Sequence, residues 1–176
     1  KPSSAASDVY KRQNLPSTGT PSTSIGLVEG DSFYLGQNPS STTNDAQSNL
    51  SVGITALDAI TTGDRNMAIG QKAITSNNTG QNNVAIGFRS QEANQDGEQN
   101  VSLGVFTLLK NNGGDWNTAI GMQALHENVT GDGNTAVGSA ALRNNTASQN
   151  TAVGLQSMMN NTSGAANSAL GYMSLE

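Results

Sequence analysis

A glycine that follows a short apolar run returns at Gly36, Gly53, Gly70, Gly87, Gly104, Gly121, Gly138, Gly154 and Gly171. The spacing is 17 residues throughout except for one step of 16 between Gly138 and Gly154. A fixed period of this length implies one small supersecondary unit per repeat, unable to bury its apolar face alone and stable only when stacked on its neighbours. The spacing therefore predicts a β-rich solenoid, a parallel β-roll of about nine coils, each built from a short strand plus a second short strand or a helical turn.

The repeat reads Asn-Thr-Ala-Ile-Gly-x-x-Ala-Leu, followed by a polar loop. Residues 117–125 (NTAIGMQAL) match it fully, and residues 134–142 (NTAVGSAAL) differ by one methylene. The residue before the glycine is always aliphatic: Leu35, Val52, Ile69, Ile86, Leu103, Ile120, Val137, Val153 and Leu170. An aliphatic column held in register is read as core. One residue earlier the side chain is small, at Ser51, Ala68, Ala85, Ser102, Ala119, Ala136, Ala152 and Ala169. Successive side chains of a strand point to opposite faces, so these two columns lie on opposite sides of one ribbon. Small residues mark a close approach. The approach can come from a sister chain, which makes Ala68, Ala85, Ala119, Ala136, Ala152 and Ala169 candidate contacts of a homotrimer, or from crowding within each coil.

Four positions before the glycine stands an asparagine in eight copies, Asn49, Asn66, Asn83, Asn100, Asn117, Asn134, Asn150 and Asn167. Stacked amides can donate and accept along a rod axis, so this column and the glycines Gly53, Gly70, Gly87, Gly104, Gly121, Gly138, Gly154 and Gly171 are assigned structural roles. A row of ligand-binding amides is the competing reading. After the glycine, segments such as Met122-Gln123-Ala124-Leu125 favour helix by composition, and the Leu or Ile at the fourth position is expected to fold back on the aliphatic column. A polar turn follows, with Asn77, Asn94, Asn111, Asn128, Asn145 and Asn161 and a second glycine at Gly63, Gly80, Gly97, Gly114, Gly131 and Gly164. Positive φ is the expected reason for that glycine. Ala147 replaces it in the shortened copy, where a tighter or distorted loop is expected.

With 34% hydrophobic and 4% aromatic residues a large central core is out of reach, whereas a narrow one needs few apolar residues per coil. Disordered chains of such polarity have no reason to hold aliphatic residues in register. A net charge of −5 without a basic stripe argues against nucleic-acid binding. No apolar run reaches membrane-spanning length, so no membrane insertion is expected. No cysteine is present, which removes thiolate metal sites and disulfides.

Three segments follow from composition. Residues 1–13 (KPSSAASDVYKRQ) share nothing with the repeat and resemble adapter read-through, a non-native extension. Residues 14–30, rich in Ser, Thr, Pro and Gly, read as a linker or irregular cap. Residues 31–176 are the solenoid, truncated within a repeat, with residues 31–40 as a degenerate first coil carrying Phe33 and Tyr34.

The stretches NMAIGQKAI, NTAIGMQAL, NTAVGSAAL and NSALGYMSL resemble the repeats of tail-fibre proteins of marine bacteriophages and, more distantly, the head domains of trimeric autotransporter adhesins. The resemblance covers about residues 31–176. It implies a parallel β-roll, trimerisation about the long axis, attachment to a host surface, and a place in the virion; the adhesin alternative implies the bacterial cell surface or outer membrane. A host glycan or protein would be met through regions outside this chain. The period of 17 is longer than the adhesin-head coil, which favours the phage side.

Chemistry is thin, and no enzymatic activity or cofactor is expected. Catalysis needs convergent titratable groups, and His126 beside Glu127 reads as a solvated loop residue. Asp132-Gly133 and Asp96-Gly97 look like calcium-loop fragments but lack the surrounding acids of a hard-cation cage; no metal is expected. Trp116 offers a flat face to a sugar ring, or a plain packing role. Thr118, Thr135 and Thr151 share a column and make an ice-binding solenoid a third reading, but the column reads Leu50, Met67, Val84 and Val101 earlier, so no long flat threonine array forms.

Overall fold

The computed structural model describes residues 27–29, 32–36 and 46–175. The expected extension at 1–13 and most of the expected linker at 14–30 lie outside these residues. Within them the chain is a parallel β-solenoid with no helix.

Ten strands form one sheet in sequence order: β1 (Leu27–Glu29), β2 (Ser32–Gly36), β3 (Leu50–Gly53), β4 (Met67–Ile69), β5 (Val84–Ile86), β6 (Val101–Leu103), β7 (Thr118–Ile120), β8 (Thr135–Val137), β9 (Thr151–Val153) and β10 (Ser168–Leu170). From β2 onwards every pairing is parallel and every register joins equivalent repeat positions, such as Ala68 to Ala85 and Ala119 to Ala136. The exception is β1, which runs antiparallel to β2 and meets the first coil as a hairpin. Residues 27–29 of the expected linker are thus a strand.

Which face is inside reverses the sequence expectation. Ala68, Ala85, Ala119, Ala136 and Ala152 are fully buried, whereas the aliphatic column faces outward, with Ile120 37%, Leu103 46% and Leu170 80% exposed. The reason is geometric. From β3 to β10 the opposite wall of the same coil comes so close to the sheet that only Ala or Ser stands beneath the strand. The remaining space is filled by the fourth residue after the glycine: Leu57, Ile74, Leu108, Leu125, Leu142 and Met158 are buried and pack in the same clusters as the alanines, rather than on the aliphatic column. Each such burial contributes roughly 1.5–3 kcal/mol. At β2, Tyr34 takes the alanine place and is buried.

The wall opposite the sheet is neither a second strand nor a helical turn. It is a run of turns in which the second and fourth residues after the glycine adopt left-handed backbone, for example Lys72 (φ 61) with Ile74 (φ 46) and Gln123 (φ 59) with Leu125 (φ 51). This conformation costs a non-glycine residue roughly 1–2 kcal/mol, and the hydrogen bonds show what offsets it. The Lys72 N–H donates to Ile54 O in the preceding coil, and the Ile74 N–H donates to Ser90 O in the following one. The left-handed turns swing N–H groups onto the rod axis, where both neighbours supply carbonyls.

Two asparagine columns line the interior. In the first, each side-chain Oδ1 accepts the backbone N–H of the next column member, as from Asn100 to Asn83 (2.9 Å) and from Asn117 to Asn100 (2.9 Å). In the second, Asn77, Asn94, Asn111 and Asn128 donate to the glycine carbonyl three residues on. The same carbonyl also accepts from the first column: Gly97 O takes Nδ2 of Asn83 (2.8 Å) and of Asn94 (3.0 Å). Direct amide-to-amide contacts occur but are secondary, as between Asn83 and Asn66 (3.1 Å).

The second glycine column serves close approach rather than positive φ. A Cβ on Gly80 would lie 2.5 Å from Gly97 O, and the backbone there is not left-handed. In the shortened coil Ala147 O replaces the glycine carbonyl and accepts from both Asn134 (2.9 Å) and Asn145 (2.7 Å). The loop tightens by one residue and keeps the network.

Candidate interaction surface

The sheet has an inner and an outer face, and the outer one concentrates what the sequence leaves unpaired. Its residues stand three and one before the repeat glycine, bordered by the residue just after it. From β3 to β10 these three columns hold 24 residues, none of them charged. The first four coils are almost wholly apolar, Gln71 excepted: Leu50, Val52, Ile54; Met67, Ile69; Val84, Ile86, Phe88; Val101, Leu103, Val105. Later coils alternate Thr118, Thr135, Thr151 and Ser168 with Ile120, Val137, Val153 and Leu170. Ile54, Phe88, Val105, Met122, Leu155 and Tyr172 are all exposed along the border. Soluble monomers rarely display an apolar strip of this continuity, and a parallel sheet is usually covered on both faces.

Charges collect elsewhere, on the turn wall and on the return loops. Arg89 is ion-paired to Glu92 and lies over the Phe106 ring, 5.5 Å from its centroid. Lys72 approaches the same Glu92 at 3.8 Å, and Phe88 meets Phe106 edge to face at 5.4 Å. Lys110 Nζ donates to Glu127 Oε2 at 2.6 Å, while His126 Nδ1 lies 2.8 Å from Glu127 Oε1. The Lys110 hydrogen bond, assisted by His126, holds the Glu127 carboxyl below its ordinary range against a smaller opposing effect of burial. His126 is thus bonded on a partly covered side chain rather than freely solvated. A shallow depression bounded by Ser76, Arg89, Glu92, Ala93, Leu109 and Lys110 lies between these pairs; its Arg89 and Glu92 pair with each other and its Lys110 with Glu127 outside it.

The other residues singled out in the sequence fall as follows. Ala68, Ala85, Ala119, Ala136, Ala152 and Ala169 are inside their own coil, so they cannot meet a sister chain. Asp132 Oδ1 accepts the Asp115 N–H of the preceding coil, and Asp115 Oδ1 in turn accepts that of Glu98, so these acids bridge coils. No three His, Cys, Asp or Glu side chains converge on a cation position among the described residues. Trp116 is 58% exposed and left-handed (φ 55), its N–H bonded to Glu98 O. No helix among the described residues is long and apolar enough to cross a membrane.

Comparison with protein-family models, with curated proteins and with solved structures finds no match. The signal for this outer face is present in the sequence. The columns three before, one before and one after the glycine are uncharged in every coil, a pattern no buried core requires of all three.

Proposed function

We propose that this chain is a non-enzymatic structural and adhesive segment of a viral tail fibre, a rod that sets length and stiffness in host-surface attachment. The observation that carries the reading is the uncharged outer face of the sheet, continuous from Leu50 to Leu170. A rod built to stay single in water would place charge there. The proposed arrangement is a parallel homotrimer in register, with the aliphatic columns, not the alanines, turned to the common axis. Identical coils stacked at one strand spacing present the same pattern to each partner, which suits a closed cyclic assembly. Attachment sites at the end of such a fibre gain avidity from threefold multiplicity.

The test is sedimentation of the chain beside a Leu103→Glu, Ile120→Glu variant, with circular dichroism to follow the coil. The expected result is a trimer that becomes a folded monomer in the variant. A monomer in both overturns the assembly, and a trimer in both overturns this face. Host contact is assigned to regions outside this chain, so the labelled rod alone should wash off bacterial cells, and specific retention would place an attachment site within the repeats. Substituting Ala119 or Ala136 by Gln would not serve, because a buried amide there disrupts the coil before any interface.

A further inference from the structure

Leu57, Ile74, Leu108, Leu125, Leu142 and Met158 share one buried column, and among the described residues a single member of that column is polar: Gln91. Its neighbours are polar as well. Ser90 and Ser102 stand where adjacent coils carry Ala73 and Ala85, and Ser90 Oγ lies 2.5 Å from Ser102 Oγ. Gln91 Nε2 donates to Ser102 Oγ (2.8 Å) and to Val84 O (3.1 Å), while its Oε1 is buried without a hydrogen-bond partner among the described residues. Thr107 follows in the next coil, its hydroxyl turned to Gly121 O (2.9 Å).

The consequence is visible in the packing. The buried apolar residues fall into two clusters, one reaching from Tyr34 to Ala85 and the other from Leu108 to Ala169, and the Ser90, Gln91, Ser102 layer lies between them. Hydrogen bonds cross the layer without interruption: Asn100 to Asn83 on one side, Asn111 to Asn94 on the other, and the strand pairing of β5 with β6. Only the apolar continuity is broken. In a stacked-repeat protein, cooperativity is set by the interfaces between neighbouring units, and a half-satisfied polar layer is weaker than an apolar one.

We propose that the Gln91 layer is a built-in break in cooperativity that divides the solenoid into two blocks, residues 46–85 and 108–170, which open independently. It rests on the interior alone, so it stands or falls apart from the fibre reading.

Native-state hydrogen exchange on the whole chain, followed through rising denaturant, tests it. The reporters are the bonded amides of Leu57 and Ile74 in one block and of Leu108, Leu125 and Leu142 in the other. The expected result is two common opening levels with a step between Ile74 and Leu108, and loss of the step in Gln91→Leu, Ser102→Ala. One common level in the wild type overturns the proposal, as does a step that survives in the variant. The milder Gln91→Met serves if the double variant folds poorly. The converse change, Leu125→Gln, is expected to create a second step inside the larger block, and its failure to do so overturns the proposal too.

Discussion

Glycine is required here for two reasons, and one position carries the first alone while another carries both. Gly133 is left-handed (φ 63), and a methyl group added there would meet only the Gln149 side chain within 4 Å, so Gly133→Ala tests backbone preference alone. Gly87 combines φ +137 with a neighbouring coil so close that a Cβ would collide with Gly104 O. Urea midpoints should show a loss of about 1 kcal/mol for Gly133→Ala and a loss several times larger, or no folding, for Gly87→Ala. Equal effects would mean that the coils can shift apart to admit a methyl group.

Glu127 sets the acid response of the turn wall. Its folded-state pKa lies below the ordinary 4.5 because Lys110 donates to it. A depressed carboxyl contributes stability above its unfolded value and loses it as pH falls through the folded one. The window therefore opens at about 4.5 and extends downwards. Thermal melts of Glu127→Gln should start slightly below wild type at neutral pH and converge with it in acid. The gap is small, since such partly exposed pairs are weak.

At the scale of the element, each coil is a three-residue strand, a left-handed turn wall and an asparagine-rich return. Leu125→Ala removes the filler between strand and wall and should cost about 2–5 kcal/mol, read from the denaturation midpoint. Much of this element is legible in the sequence. The period, the strand positions and the parallel in-register stacking all follow from the glycine and aliphatic columns. Alternation states which residues share a face but not which face is inside, and the habit of placing Ile and Val within assigns Ile120 and its column to the wrong side. Alanine suggests a meeting of chains, whereas it is the mark of a coil too thin for anything larger. The turn wall leaves no trace in composition: Lys72, Ile74 and Leu125 are ordinary residues whose left-handed backbone is stabilised by carbonyls of adjacent coils. No local propensity records a partner 17 residues away.

At the scale of the molecule, a narrow core of Ala, Leu and Ile lies beside asparagine ladders inside the coil, and the outer face of the sheet adds a second, exposed apolar surface. If the proposed trimer covers this strip, an environment-sensitive dye such as ANS should bind the Leu103→Glu, Ile120→Glu variant more strongly than the wild type. Equal fluorescence in both would count against the proposed assembly.

The parallel stacking from β2 onwards also makes each coil a store of length. Seventeen residues advance the rod by one strand spacing, roughly 4.8 Å, while the same residues drawn out straight reach roughly 58 Å. One coil that opens under load thus releases about twelve times the length it occupied. Pulled between its ends, such a tether is expected to pay out its stored length in steps, a block that opens releasing the slack of all its coils together while the other block still holds.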